Sequence, residues 1–168
     1  MKLIMRDYQQ HLRILAIDPT SKGFGFVVLE NVDRLVDWGV ARVWASSDME
    51  LLARVDATIA RYRPKLLVVP EIPAEPRRAK SARRVAALST HAQHHGMQVI
   101  VVTRSNVEAA FPGKKRERAE SVAARFPELR PWLPPPRRPW MTEDDRMHIF
   151  DALALAITAI SVGGDAGP

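Results

Sequence analysis

Three carboxylates stand where the surrounding sequence is otherwise apolar or turn-forming: Asp18, closing the run Leu12-Arg13-Ile14-Leu15-Ala16-Ile17, Glu71, closing Leu66-Leu67-Val68-Val69-Pro70, and Asp151, set between Phe150 and Ala152-Leu153. If the two runs are parallel neighbouring strands, Asp18 and Glu71 converge at their carboxyl ends. Asp144, His148 and Asp151 are spaced i, i+4, i+7, which on a helix puts them on one face. Carboxylates brought together raise each other's pKa unless a cation neutralises them. Oxygen donors with a few waters are what Mg²⁺ or Mn²⁺ prefers, and an imidazole tilts the balance slightly toward Mn²⁺. Two such ions roughly 3.5–4 Å apart activate a water and stabilise the leaving oxygen of a phosphodiester.

The elements that must position these groups follow from the pattern of apolar runs and turns. The first run is a buried strand ending at Asp18-Pro19-Thr20-Ser21. Phe24 to Leu29 and Leu35 to Trp44 follow through short loops, so the three make an antiparallel meander. Ser47-Asp48-Met49-Glu50 is a capping box, and Leu51, Leu52, Val55, Ile59 and Tyr62 follow at helical spacing until Pro64. Leu66 to Val69, wholly apolar, suits a strand buried on both faces. A basic segment, Pro76 to Arg84, leads into a helix ending near His95-Gly96, and Gln98 to Thr103 is a fifth strand.

Ser105 to Glu108 is a second capping box on a short helix, and Lys114 to Phe126 has the pattern of a further amphipathic helix. Prolines at 131, 134, 135, 136 and 139 make a stiff connector, which Trp132 and Trp140 pin to the body. A last helix starts near Thr142, with Asp145 three residues on, and runs to about Ser161. The order predicts an α/β domain with a mixed five-stranded sheet, three antiparallel strands then parallel ones, and helices on both faces. We expect residues 1–11 to be an N-terminal extension, 12–162 a single domain, and 163–168 a disordered tail.

Composition narrows the function classes. A chain of 168 residues without cysteine has no disulfide framework, thiolate zinc site or cysteine nucleophile. Its apolar fraction of 46% and charged fraction of 26% are those of a globular protein. The nearly apolar stretch Ala152 to Val162 falls short of the roughly 18 residues a spanning helix needs, which together with the absence of an apolar leader points to the cytoplasm. The net charge of +6 is unevenly placed: Ile72 to Trp140 carries 14 Lys/Arg against 5 Asp/Glu, so the remainder is acidic. That concentration suits a polyanionic partner, with Arg77, Arg78, Lys80, Arg83 and Arg84 in one cluster and Lys114, Lys115, Arg116 and Arg118 in another as candidate phosphate contacts. His91, His94 and His95 fit surface histidines favoured by a helix C-terminus better than a zinc site.

Three blocks together resemble the signatures of RuvC-type Holliday-junction resolvases of the ribonuclease H-like superfamily: Ile14-Leu15-Ala16-Ile17-Asp18-Pro19-Thr20-Ser21 with the Gly-rich strand after it, Val68-Val69-Pro70-Glu71, and His148-Ile149-Phe150-Asp151-Ala152-Leu153-Ala154-Leu155-Ala156. The resemblance covers Leu12 to Ser161. It implies a ribonuclease H-like nuclease whose catalytic and metal-binding residues are Asp18, Glu71, His148 and Asp151, with two Mg²⁺ or Mn²⁺ ions per active site. It further implies a homodimer that cuts branched DNA symmetrically in recombination or repair. Thr20 stands where many members have glycine, and Ile72-Pro73-Ala74-Glu75-Pro76 lacks the aromatic residue that members place near the junction point. Within the same fold, a nuclease acting on structured RNA such as precursor rRNA, or a non-catalytic nucleic-acid-binding relative, uses the same surface. An ATPase of the actin and sugar-kinase type shares the Asp-ended first strand but needs two such domains around one nucleotide.

Overall fold

The computed structural model describes residues 12–44 and 48–164. The expected extension over 1–11, the Ser47 end of the first capping box and the end of the tail from 165 onward lie outside these residues. β1 (Arg13–Pro19), β2 (Gly23–Glu30) and β3 (Arg34–Arg42) form the expected antiparallel meander. Thr20 Oγ1 accepts from the Lys22 and Gly23 amides and closes the β1–β2 turn. α1 (Asp48–Tyr62) buries Leu51, Val55 and Ile59, one residue per turn, and β4 (Leu66–Pro70) then runs parallel to β1 with Leu66 to Val69 buried.

A single 3₁₀ turn over Pro76–Arg78 opens α2 (Ala79–His94), and Gly96, at φ +71°, takes the left-handed conformation that ends it. β5 (Gln98–Val102) pairs parallel to β4, giving the sheet order β3-β2-β1-β4-β5. α3 (Arg104–Ala110), α4 (Lys115–Arg125), a 3₁₀ turn over Pro127–Trp132 and α5 (Met147–Gly164) complete the chain.

The sheet separates two cores. On one face Leu15, Ile17, Leu67 and Val69 pack against Leu51, Val55 and Ile59 of α1 and Leu88 and Ala92 of α2. On the other, Ile14, Ala16, Val27 and Val68 pack against α5, itself covered by Val107 of α3 and Ala119, Val122 and Ala123 of α4. α5 is apolar nearly all round, with Ile149, Phe150, Ala152, Leu153 and Ala156 each 0 or 1% exposed, because it lies between the sheet and two helices. Each of the large side chains among them contributes about 1.5–3 kcal/mol by leaving water.

Several local expectations are corrected. α5 begins at Met147, not near Thr142, and continues through Gly164 rather than ending at Ser161, so the tail boundary at 163 falls inside the helix. The Met147 and His148 amides bond to the Asp144 and Asp145 carbonyls, so the acidic run is a lead-in turn and not a first helical turn. α3 is capped by Thr103, whose hydroxyl accepts from the Asn106 amide, and not by Ser105. β3 ends at Arg42, short of Trp44. Trp132 meets Trp38 edge to face at 6.4 Å and does pin the connector, whereas Trp140 is 75% exposed and stacks with Arg138. No helix among the described residues is long and apolar enough to cross a membrane.

Candidate active site

Side chains alternate across β1, and since Ile14 and Ala16 face α5, Asp18 faces it too. The first two turns of α5 present His148 and Asp151 to the same place. His148 Nδ1 lies 2.8 Å from Asp18 Oδ2 and 3.7 Å from Asp151 Oδ2, and one ligand atom from each residue falls within 4.8 Å of the others. The approach is close because Gly25, paired with Asp18 in the β1–β2 ladder, has no side chain: a Cβ there would sit 2.4 Å from the His148 carbonyl carbon. Glycine lets α5 rest on bare backbone.

Two further charged groups complete the cluster. Lys115, the first residue of α4, places Nζ 2.8 Å from Asp151 Oδ2 and 2.7 Å from Glu143 Oε1, and Glu143 Oε2 is 4.0 Å from His148 Nε2. Burial and the neighbouring Asp18 push the Asp151 carboxyl up to about 6, against the opposing pull of Lys115 and His148. Burial disfavours the charged imidazole of His148, but the hydrogen bond to Asp18 and the charges of Asp18 and Asp151 outweigh it, so its pKa is raised. Burial likewise acts against the Lys115 ammonium, and Asp151 and Glu143 more than offset it.

The donor set suits a hard or borderline divalent cation. Two carboxylates and an imidazole converge, and the raised Asp151 records an electrostatic cost that a cation would relieve. A cleft of about 410 Å³, lined by Lys114, Lys115, Arg116, Pro134 to Arg137 and Met141 to Asp144, runs beside the cluster and shares Lys115 and Glu143 with it. Its walls are basic and proline-rich.

The remaining sequence candidates divide. Glu71 follows β4 directly, with its amide bonded to the Val102 carbonyl, but its exposed carboxylate lies outside the 4.8 Å cluster of the other three. Asp144 does not share a face with His148: it precedes the helix, and its carboxylate is held by the Arg146 amide and guanidinium. Asp145 pairs with Arg42 of β3.

Among the bases, Arg77, Arg78 and Arg83 are solvent-facing, Lys80 is half-buried, and Lys114 is exposed. Arg116 bonds Glu120 and the Pro134 carbonyl, which ties the connector to α4, and Arg118 is half-buried. Arg84 is a correction. It is 0% exposed, its Nη1 donates to the Thr20 carbonyl at 2.5 Å, and its Nε lies 3.7 Å from Asp48, so it cannot reach a phosphate. Lys115 turns inward to the acids rather than outward. Glu143 was absent from the sequence expectation; its only signal was membership of the acidic run before the last helix.

No family model matches the chain, and no curated protein does. Solved structures are similar to it along most of its length. The Thermus thermophilus RuvC in complex with a Holliday junction substrate matches with a TM-score of 0.67 and 24% identity, covering 92% of this chain and 97% of that one. The yeast mitochondrial Holliday junction resolvase Ydc2 matches with a TM-score of 0.61 and 13% identity, covering 97% and 85%. The fowlpox virus resolvase with substrate Holliday junction DNA matches with a TM-score of 0.57 and 12% identity, covering 89% and 99%. The chain therefore shares the fold of these structures, a mixed five-stranded sheet flanked by helices, in line with the architecture expected from the sequence.

Proposed function

We propose that this chain is a metal-dependent, structure-selective endonuclease that hydrolyses DNA phosphodiester bonds at four-way junctions. The observation that carries the reading is the convergence of Asp18, His148 and Asp151 at the carboxyl end of β1, beside a basic cleft, in a fold shared with resolvases solved on junction DNA. Asp18 and Asp151 would hold a divalent ion as anionic ligands, His148 would either ligate it as neutral imidazole or carry a proton, and Glu71 would be a further carboxylate ligand. Two divalent ions held there, Mg²⁺ or Mn²⁺, would supply an activated water and charge stabilisation at the leaving oxygen.

The protein's own groups prepare that site. Asp18 Oδ2 fixes the imidazole through Nδ1, leaving Nε2 directed toward Glu143 as the nitrogen able to exchange a proton at the cleft edge. Lys115 neutralises Asp151, and its ammonium would be free to meet a phosphate if a divalent ion were held by that carboxylate. Exposed Arg77, Arg78, Arg83 and Lys114 and half-buried Lys80 grip the DNA arms. A homodimer presents two such centres to the two strands of equal polarity that symmetric resolution must cut.

The test is cleavage of labelled four-way junction, linear duplex and structured RNA by the wild-type chain in Mg²⁺ or Mn²⁺, with light scattering to give the mass. Symmetric nicking of the junction alone by a dimer is the expected result. Preferential cleavage of RNA would overturn the substrate assignment, and a monomer that nicks one strand would overturn the dimer.

A further inference from the structure

On the opposite face of the sheet from the carboxylate cluster, three potential ligands meet between α1 and α2. We propose that Asp56, His91 and His95 form a second metal site, selective for Zn²⁺ or a similar transition-metal ion, that clamps α1 to α2. His91 Nε2 lies 2.5 Å and His95 Nε2 3.1 Å from the same atom, Asp56 Oδ1, and the three ligand atoms fall within 4.8 Å of one another. Ligands bound at about 2.0–2.1 Å in a tetrahedral shell stand roughly 3.3 Å apart. Small side-chain rotations reach that spacing.

The local structure explains the convergence. His91 and His95 are spaced i, i+4 at the carboxyl end of α2, the spacing at which two imidazoles on one helix face chelate a single ion. Their rings are in contact, with centroids 4.8 Å apart. Asp56 projects from the neighbouring helix, and Val55 and Ile59 of α1 share a core with Leu88 and Ala92 of α2, so the third ligand is carried on a fixed partner. Exposure of the side chains, 23% for His91, 42% for His95 and 47% for Asp56, leaves a water-accessible fourth position. His94 lies outside the trio.

The chemistry separates this site from the first. Two imidazoles and one carboxylate favour Zn²⁺, Co²⁺ or Ni²⁺ over Mg²⁺, whereas the Asp18 cluster is richer in carboxylate. Metal that binds the folded chain here and not the unfolded one raises its melting temperature. The sequence alone pointed the other way because Asp56 is 35 residues from His91, and only the packing of α1 on α2 unites them.

Zn²⁺ calorimetry on the wild type, Asp18→Asn, His95→Gln and Asp56→Asn tests the site, with Co²⁺ absorption reporting the ligand field. His95 and Asp56 are surface residues, so these variants fold, and circular dichroism checks that they do. The expected result is a Zn²⁺ ion that is retained in Asp18→Asn but bound at least tenfold more weakly by His95→Gln and Asp56→Asn. The thermal upshift with Zn²⁺ disappears in those two variants, while Mg²⁺-supported nuclease activity of His95→Gln is unchanged. Wild-type Zn²⁺ affinity and stoichiometry in His95→Gln, or no Zn²⁺ retained in Asp18→Asn, would overturn the proposal. Both outcomes are independent of whether the chain cuts junctions.

Discussion

The backbone of His148 occupies the space above Gly25 where any other residue would carry its side chain. Because Gly25 pairs with Asp18, one missing methyl group sets how closely the imidazole approaches the carboxylate. Gly25→Ala therefore lifts the start of α5 off the sheet. We expect a stability loss of about 1–3 kcal/mol from overpacking, measured by urea denaturation. Cleavage should fall about 100-fold, since a displacement near 1 Å at reacting groups has that effect. Unchanged cleavage would mean that the Asp18–His148 contact is dispensable.

Lys115 balances the two acids on either side of it. In EDTA, Lys115→Met leaves Asp151 beside Asp18 without its counter-charge and lowers stability by about 1 kcal/mol, a modest figure because the lysine is partly solvated. Mg²⁺ or Mn²⁺ should restore more stability to this variant than to the wild type. Equal metal stabilisation of both would show that the ammonium and the ion do not share Asp151.

Arg84 and Arg77 lie seven residues apart and answer different tests. Arg84 is buried beneath the β1–β2 turn, so Arg84→Ala should destabilise by about 2–3 kcal/mol through loss of the Thr20 hydrogen bond and of the buried pairing with Asp48. Its effect on the salt dependence of DNA binding should be nil.

Arg77→Ala and Lys114→Ala, both at exposed positions, should leave stability within 0.5 kcal/mol, an order-of-magnitude bound for such surface sites, of the wild type. Each should weaken DNA binding at every sequence and reduce the slope of log K against log salt by about 1. A flat salt response in the wild type would remove these residues from the DNA contact.

The order of elements was legible because the apolar runs are separated by proline and glycine, and α5 followed from the nearly apolar stretch Ala152 to Val162 behind a cap placed near Thr142. Asp18 and Asp151 stood out since an acid at a buried strand end or inside such a helix needs a partner. Asp144 misled because its i, i+4 relation to His148 assumes a helix already begun, whereas the lead-in turn delays the start to Met147. Lys115 and Glu143 come together only when α4 packs on α5, a tertiary contact with no local signature. Arg84 looked like one base in a charged run. Its burial depends on α2 crossing the β1–β2 turn and Asp48, 36 residues away in sequence.

The most direct test of the central claim pairs binding with cutting on one four-way junction, using the wild type and Asp18→Asn in Mg²⁺, Mn²⁺ and EDTA. The account predicts metal-dependent nicking by the wild type, none in EDTA, and none by Asp18→Asn, whose junction affinity stays within a few-fold of normal. Nicking by Asp18→Asn at the wild-type rate, or cleavage that persists in EDTA, would contradict the assignment of the Asp18, His148 and Asp151 cluster as the catalytic centre.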